Sequence, residues 1–98
     1  MGKQVPTQSE IARDWQARGF SCGLWVDPPN QRWEDYRHEV DELVYILEGT
    51  LELEVSGEKK VLKAGDEAFI PARALHSVRN VGGGKAKWLY GYQADHTS

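Results

Sequence analysis

The side chains in this sequence best suited to chemistry are His38, Glu42 and His76. Two imidazoles and a carboxylate form the ligand set that holds Zn²⁺ or a non-haem Fe(II) while leaving coordination positions open. His38 and Glu42 fall in the stretch Tyr36-Arg37-His38-Glu39-Val40-Asp41-Glu42, and His76 follows the break Pro71-Ala72-Arg73. Spacing then dictates geometry. On one continuous strand His38 and Glu42 would share a face but stand ~13 Å apart, too far to reach one ion through bonds of ~2 Å. The chain must therefore turn between them, near Asp41, so that His38 closes one strand and Glu42 opens the next. His76 must enter from a third strand.

The elements needed to do this are legible. Thr7-Gln8-Ser9-Glu10 fits a capping box, Ile11, Ala12 and Trp15 share a helical face, and Gly19 suits a helix stop, which predicts a helix over residues 7–19. From residue 20 the pattern predicts short strands at Phe20–Val26, Gln31–His38, Glu42–Glu48, Thr50–Val55, Lys59–Leu62, Glu67–Ile70, Ser77–Asn80 and Lys85–Gln93. The breaks hold residues that suit turns or cannot join a ladder, such as Asp27-Pro28-Pro29-Asn30 and Gly82-Gly83-Gly84. Evenly spaced short strands argue for an antiparallel sandwich or barrel. In Glu42–Leu47 both faces are apolar, so one needs the barrel interior and the other the helix or a second subunit. A homodimer is the preferred explanation.

Ninety-eight residues suffice for one domain, here 1–98, with the helix at 7–19, the barrel at 20–93 and a flexible tail at 94–98 that includes His96. The net charge is -3 with scattered basic residues, which excludes an electrostatic footprint for nucleic acid and disfavours anionic membrane surfaces. The longest apolar run, Leu43–Leu47, is far shorter than the ~20 residues of a membrane span. The absence of a secretory h-region and the single Cys22, read as a packing residue, suit a reducing cytoplasm. In the last strand Trp88, Tyr90 and Tyr92 alternate and share a face, so beyond core packing they could wall a pocket for a small organic molecule. Trp33 and Tyr36 differ in parity on their strand. Arg73 or Arg79 could pair with a ligand carboxylate, against a solvated surface as the plainer reading.

At this point the sequence resembles the cupin superfamily, whose paired motifs read G-x5-H-x-H-x3,4-E-x6-G and G-x5-P-x-G-x2-H-x3-N. Seven of ten fixed positions match: His38, Glu42, Gly49, Gly65, Pro71, His76 and Asn80. Asn30 and Arg73 replace glycines, Arg73 adding a cation near the barrel mouth, and Tyr36 stands where the family has its first metal-binding histidine. A phenol with a pKa of about 10 is a poorer ligand than imidazole, so Tyr36 is expected as pocket wall, hydrogen-bond donor or fourth ligand. The resemblance implies an all-β double-stranded β-helix (jelly-roll) barrel, often dimeric, around a divalent metal held by His38, Glu42 and His76.

Two functions stay in play. One is a metal-dependent enzyme of dioxygenase or isomerase type using Fe, Mn, Ni or Zn on a small molecule. The other is a non-catalytic ligand-binding or sensing module in the same barrel, because no second base or nucleophile stands out and one histidine is missing.

Overall fold

The chain opens with a helix whose start is set by side-chain caps. In the computed structural model, which describes residues 7–94, α1 spans Gln8–Ala17. Thr7 Oγ1 accepts from the Glu10 amide at 3.2 Å while Glu10 Oε1 accepts from the Thr7 amide at 2.8 Å, satisfying two free backbone donors. The helix ends at Arg18 and Gly19, the glycine with φ of 88°. Residues 95–98 of the expected tail, with His96, lie outside the described residues.

Eight strands follow: β1 (Gly23–Asp27), β2 (Arg32–Tyr36), β3 (Glu42–Glu48), β4 (Thr50–Val55), β5 (Glu58–Lys63), β6 (Glu67–Ile70), β7 (His76–Asn80) and β8 (Ala86–Tyr92). They pair antiparallel into two four-stranded sheets, ordered β1-β8-β3-β6 and β2-β7-β4-β5. This is a jelly-roll barrel. Val44, Ile46, Leu51, Leu53, Leu62, Ile70, Val78 and Trp88 pack between the sheets as its core. Among the described residues no helix is long and apolar enough to cross a membrane.

The two-sided strand is explained within one chain. Val44 and Ile46 face the barrel interior, whereas Leu43, Tyr45 and Leu89 form a second cluster with Ile11 and Trp15 of α1. The helix covers that outer face, so the face by itself gives no reason for a second subunit. Trp15 is fully buried and its indole N–H donates to Glu67 at 3.0 Å. Its ring lies so close to β8 that a Cβ at Gly91 would come within 2.7 Å of it and 2.1 Å of the Ser21 carbonyl oxygen. Cys22 packs half-buried beside this cluster, and burial pushes its thiol pKa up.

Among the differences from the expected strand bounds, two bear on the site. β1 includes Asp27, which the turn-rich neighbourhood had assigned to a break. β2 stops at Tyr36, two residues short of His38, with a bulge between Trp33 and Tyr36 and Asp35 in a left-handed conformation at φ of 61°.

Candidate metal centre

The turn required between His38 and Glu42 is present. With β2 ended at Tyr36, residues 37–41 reverse the chain and Glu42 opens β3, while His76 opens β7 directly across from Tyr36. Two contacts clamp this corner to the loop before β7. The Arg73 amide donates to the His38 carbonyl at 2.6 Å, and Asp41 Oδ1 accepts from the Ala72 amide at 2.7 Å. Arg73 makes its bond with φ of 65°, the left-handed geometry that a glycine supplies at this position of the family motif. Its backbone serves the site. Its side chain is exposed and is not among the residues lining the cavity, which corrects the expectation of a cation there.

His38, Glu42 and His76 each offer a ligand atom, and these atoms lie within 4.8 Å of one another. Nε2 of His38 is 3.5 Å from Glu42 Oε1, and Nε2 of His76 is 3.6 Å from the same oxygen. Donors bound to one tetrahedral ion through bonds of about 2.1 Å stand about 3.4 Å apart, so the spacing fits a shared ion. His76 Nδ1 lies 3.1 Å from the Ala74 carbonyl oxygen, which can only accept. The proton therefore sits on Nδ1, and the Nε2 lone pair is left facing Glu42.

Glu42 is 5% exposed, and its Oε1 has no hydrogen-bond partner. A buried, unpartnered carboxylate oxygen is costly. Desolvation pushes its pKa up to about 7. The half-buried His38 is shifted the other way, first by burial and then by the neighbouring His76. The donor set is thus short of one positive group at its centre, and a divalent cation fits it.

A cavity of about 250 Å³ opens from these three residues. Trp88, Tyr90 and Tyr92 line it, and so does Tyr36. The Tyr36 ring centre is 6.5 Å from each imidazole ring, at the half-open mouth. Tyr92 packs edge-on to His38 at 4.9 Å, and burial, then Glu42 and Tyr90, raise its pKa so that its hydroxyl stays protonated. Sequence reasoning missed Trp25, Trp33 and Val78 as lining residues and Asp27 behind them. Trp25 and Asp27 share parity in β1, a signal that placing Asp27 in a turn concealed. Trp33 joins Tyr36 in the cavity because the bulge at Asp35 resets the alternation.

Two other residues have structural work elsewhere. Arg79 ion-pairs with Glu34 at 2.8 Å, Glu52 at 2.8 Å and Glu54 at 2.9 Å on the outer face of the second sheet, and so is neither a cavity cation nor freely solvated. Asn80 donates to the carbonyl oxygens of Pro28 and Gly84, tying the loop before β2 to the loop before β8.

Fold, motif spacing and corner geometry define a class, and comparison with known proteins agrees. The family model described as Cupin domain matches residues 23–92, and the chain belongs to this family. A Thermus thermophilus protein of known structure is 31% identical, with a TM-score of 0.69, and the match covers 78% of this chain and 74% of that one. A polyketide synthase CurC from Streptomyces cyaneus is 36% identical over 73 residues, 74% of this chain and 47% of that protein. A 5-nitrosalicylic acid 1,2-dioxygenase from Bradyrhizobium sp. is 38% identical over 64 residues, 65% of this chain and 31% of that protein. The chain thus spans less than half the length of these two relatives. An oxalate oxidase structure shares the fold at a TM-score of 0.71 and 21% identity, covering 79% of this chain and 43% of that one.

Proposed function

We propose that this domain binds one divalent metal ion through His38, Glu42 and His76 and acts on a small organic molecule in the adjoining cavity. The observation that carries the reading is the buried Glu42 oxygen, unpartnered and 3.5–3.6 Å from two imidazole nitrogens. A bound Fe, Mn, Ni or Zn ion would supply Lewis acidity, and a redox-active one electron transfer to dioxygen. The chain's own groups do the rest. Ala74 fixes the His76 tautomer, the Arg73 and Ala72 amides hold the turn that aims His38 and Glu42, and the apolar walls limit water around a bound molecule. The protonated Tyr92 hydroxyl can donate a hydrogen bond within the cavity, and Tyr36 can contact a ligand at its mouth.

Of the dioxygenase and isomerase types, the dioxygenase is the better supported, since one relative matched over this domain is named a dioxygenase. A second reading, a non-catalytic binding or sensing module, draws on a specific feature. Apart from the three ligand candidates, the titratable groups lining the cavity among the described residues are tyrosines, Tyr36, Tyr90 and Tyr92, with no further strong base or nucleophile. Elemental analysis of the purified protein beside its His76→Ala variant tests the metal. Near one equivalent in the parent and under a tenth in the variant is expected; equal, trace metal in both would overturn the reading. Oxygen uptake with candidate substrates then separates enzyme from module.

A further inference from the structure

Behind the cavity, and apart from the candidate ligands, Asp27 is 1% exposed and gathers three indole N–H groups. Its Oδ1 accepts from Trp25 at 2.6 Å and from Trp33 at 3.1 Å, and its Oδ2 accepts from Trp33 and Trp88 at 3.1 Å each. The three tryptophans come from three strands, β1, β2 and β8, which span both sheets. One carboxylate therefore fixes the orientation of three rings that all line the cavity. The polar edge of each indole is spent on Asp27, which leaves carbon surface facing inward. Around them the aromatic walls meet edge-to-face: Trp25–Trp33 at 5.6 Å, Trp33–Tyr36 at 6.1 Å, Trp88–Tyr90 at 6.2 Å and Tyr90–Tyr92 at 5.9 Å.

From this arrangement we propose that the cavity is a site for a planar aromatic ligand of one or two rings, with Asp27 as the residue that positions its walls. The inference deepens the proposed function by naming a ligand class for the same cavity, but it stands without the metal. Size agrees, because an apolar cavity of about 150 Å³ takes benzene and this one holds about 250 Å³. Edge-to-face walls extend naturally to another ring, since aromatic pairs gain energy beyond the area they bury. Charge agrees as well. Among the described residues the lining holds no Lys or Arg to recognise a polyanion.

The test compares two neutral alcohols of the same carbon skeleton, planar benzyl alcohol and puckered cyclohexylmethanol, on the full chain after EDTA treatment and again after zinc loading. Binding is read by NMR from the indole N–H signals. Trp15, whose N–H is held by Glu67 outside the cavity, is an internal control. The expected result is an aromatic preference of about fivefold, with the Trp25, Trp33 and Trp88 signals moving and Trp15 still. Asp27→Asn, which offers three indole donors one acceptor and its own N–H groups, should lose most of that preference. Should Asp27→Asn not fold, Trp25→Leu serves, since Trp25 is 41% exposed, and it too should cut the preference. Equal binding of the two alcohols, tighter binding of tetramethylammonium, or an undiminished preference in Trp25→Leu would overturn the inference. Failure to take up zinc while the aromatic preference persists would sink the metal reading and leave this one standing.

Discussion

Replacing Glu42 by glutamine should stabilise the metal-free protein, although it removes a group central to the site. Without a cation, Glu42 is a buried carboxylate with one oxygen unpartnered, and its pKa rises from the ordinary 4.5 to about 7. At about 1.36 kcal/mol for each pH unit, the buried charge costs up to about 3 kcal/mol above pH 7. The sign follows from proton binding. Between about pH 4.5 and 7 the folded protein holds a proton that the unfolded chain releases, so Glu42 favours folding at low pH and that contribution is lost as pH rises through 7. His38, with its lowered pKa, works the other way, and because the unfolded chain's histidine is half protonated at about pH 6.5 it offsets up to about 0.4 kcal/mol there. Across the window from about pH 8 to 6.5 the chelator-treated parent should therefore gain about 0.4–0.8 kcal/mol, a rise in Tm of about 2–6 °C for a domain of this size. Glu42→Gln should show no such slope and should melt at least about 10 °C higher than the parent at pH 8. The new amide can donate to an imidazole lone pair in place of the missing cation. Thermal denaturation followed by circular dichroism is the assay. Zinc should reverse the order once it stands at about 1,000 times its Kd, where it adds about 4.1 kcal/mol to the protein that binds it. A parent with no pH slope in this window, or a Glu42→Gln variant less stable than the parent in chelator, would refute the picture of an uncompensated buried anion.

Other outcomes follow from the same structure. Metal affinity should fall about tenfold per pH unit below 7, since a proton on Glu42 competes with the ion, as competition against a chelator of known affinity would read. Trp15→Ala should cost about 3–5 kcal/mol, because it empties a fully buried site and strips Glu67 of its indole donor; urea denaturation measures it. Arg73→Gly should retain its metal by elemental analysis, since the site uses only the backbone N–H and the left-handed turn at this residue. Replacing Arg79 by methionine should release Glu34, which Arg79 and then Arg32 hold at a pKa of about 2, back toward ordinary carboxylate values in an NMR titration.

What was legible in the sequence was whatever depends on local pattern. The capping box at Thr7 and Glu10 set the helix start, and alternation placed β3, β4 and β6 at their observed bounds. The need for a turn between His38 and Glu42 followed from strand rise alone, and β2 does end at Tyr36. Register across strands was not legible. The bulge at Asp35 reverses the parity between Trp33 and Tyr36, and no period-two reading can show a reversal inside a strand. Asp27 looked like part of a turn because Pro28 and Pro29 follow it. Its role appears only once three distant tryptophans converge on it. Arg79 is a similar case, since the glutamates that claim it come from β2 and β4. An apolar outer face in sequence cannot say which cover it will meet, and the face of Leu43 and Tyr45 meets α1.

The most direct measurement is an anomalous diffraction map from crystals of zinc-loaded protein, collected on either side of the zinc edge. One strong peak is expected about 2.0–2.2 Å from an imidazole nitrogen of His38, an imidazole nitrogen of His76 and a carboxylate oxygen of Glu42. A fully loaded protein whose peak lies away from these three side chains, or no peak at all, would contradict a metal centre built on them.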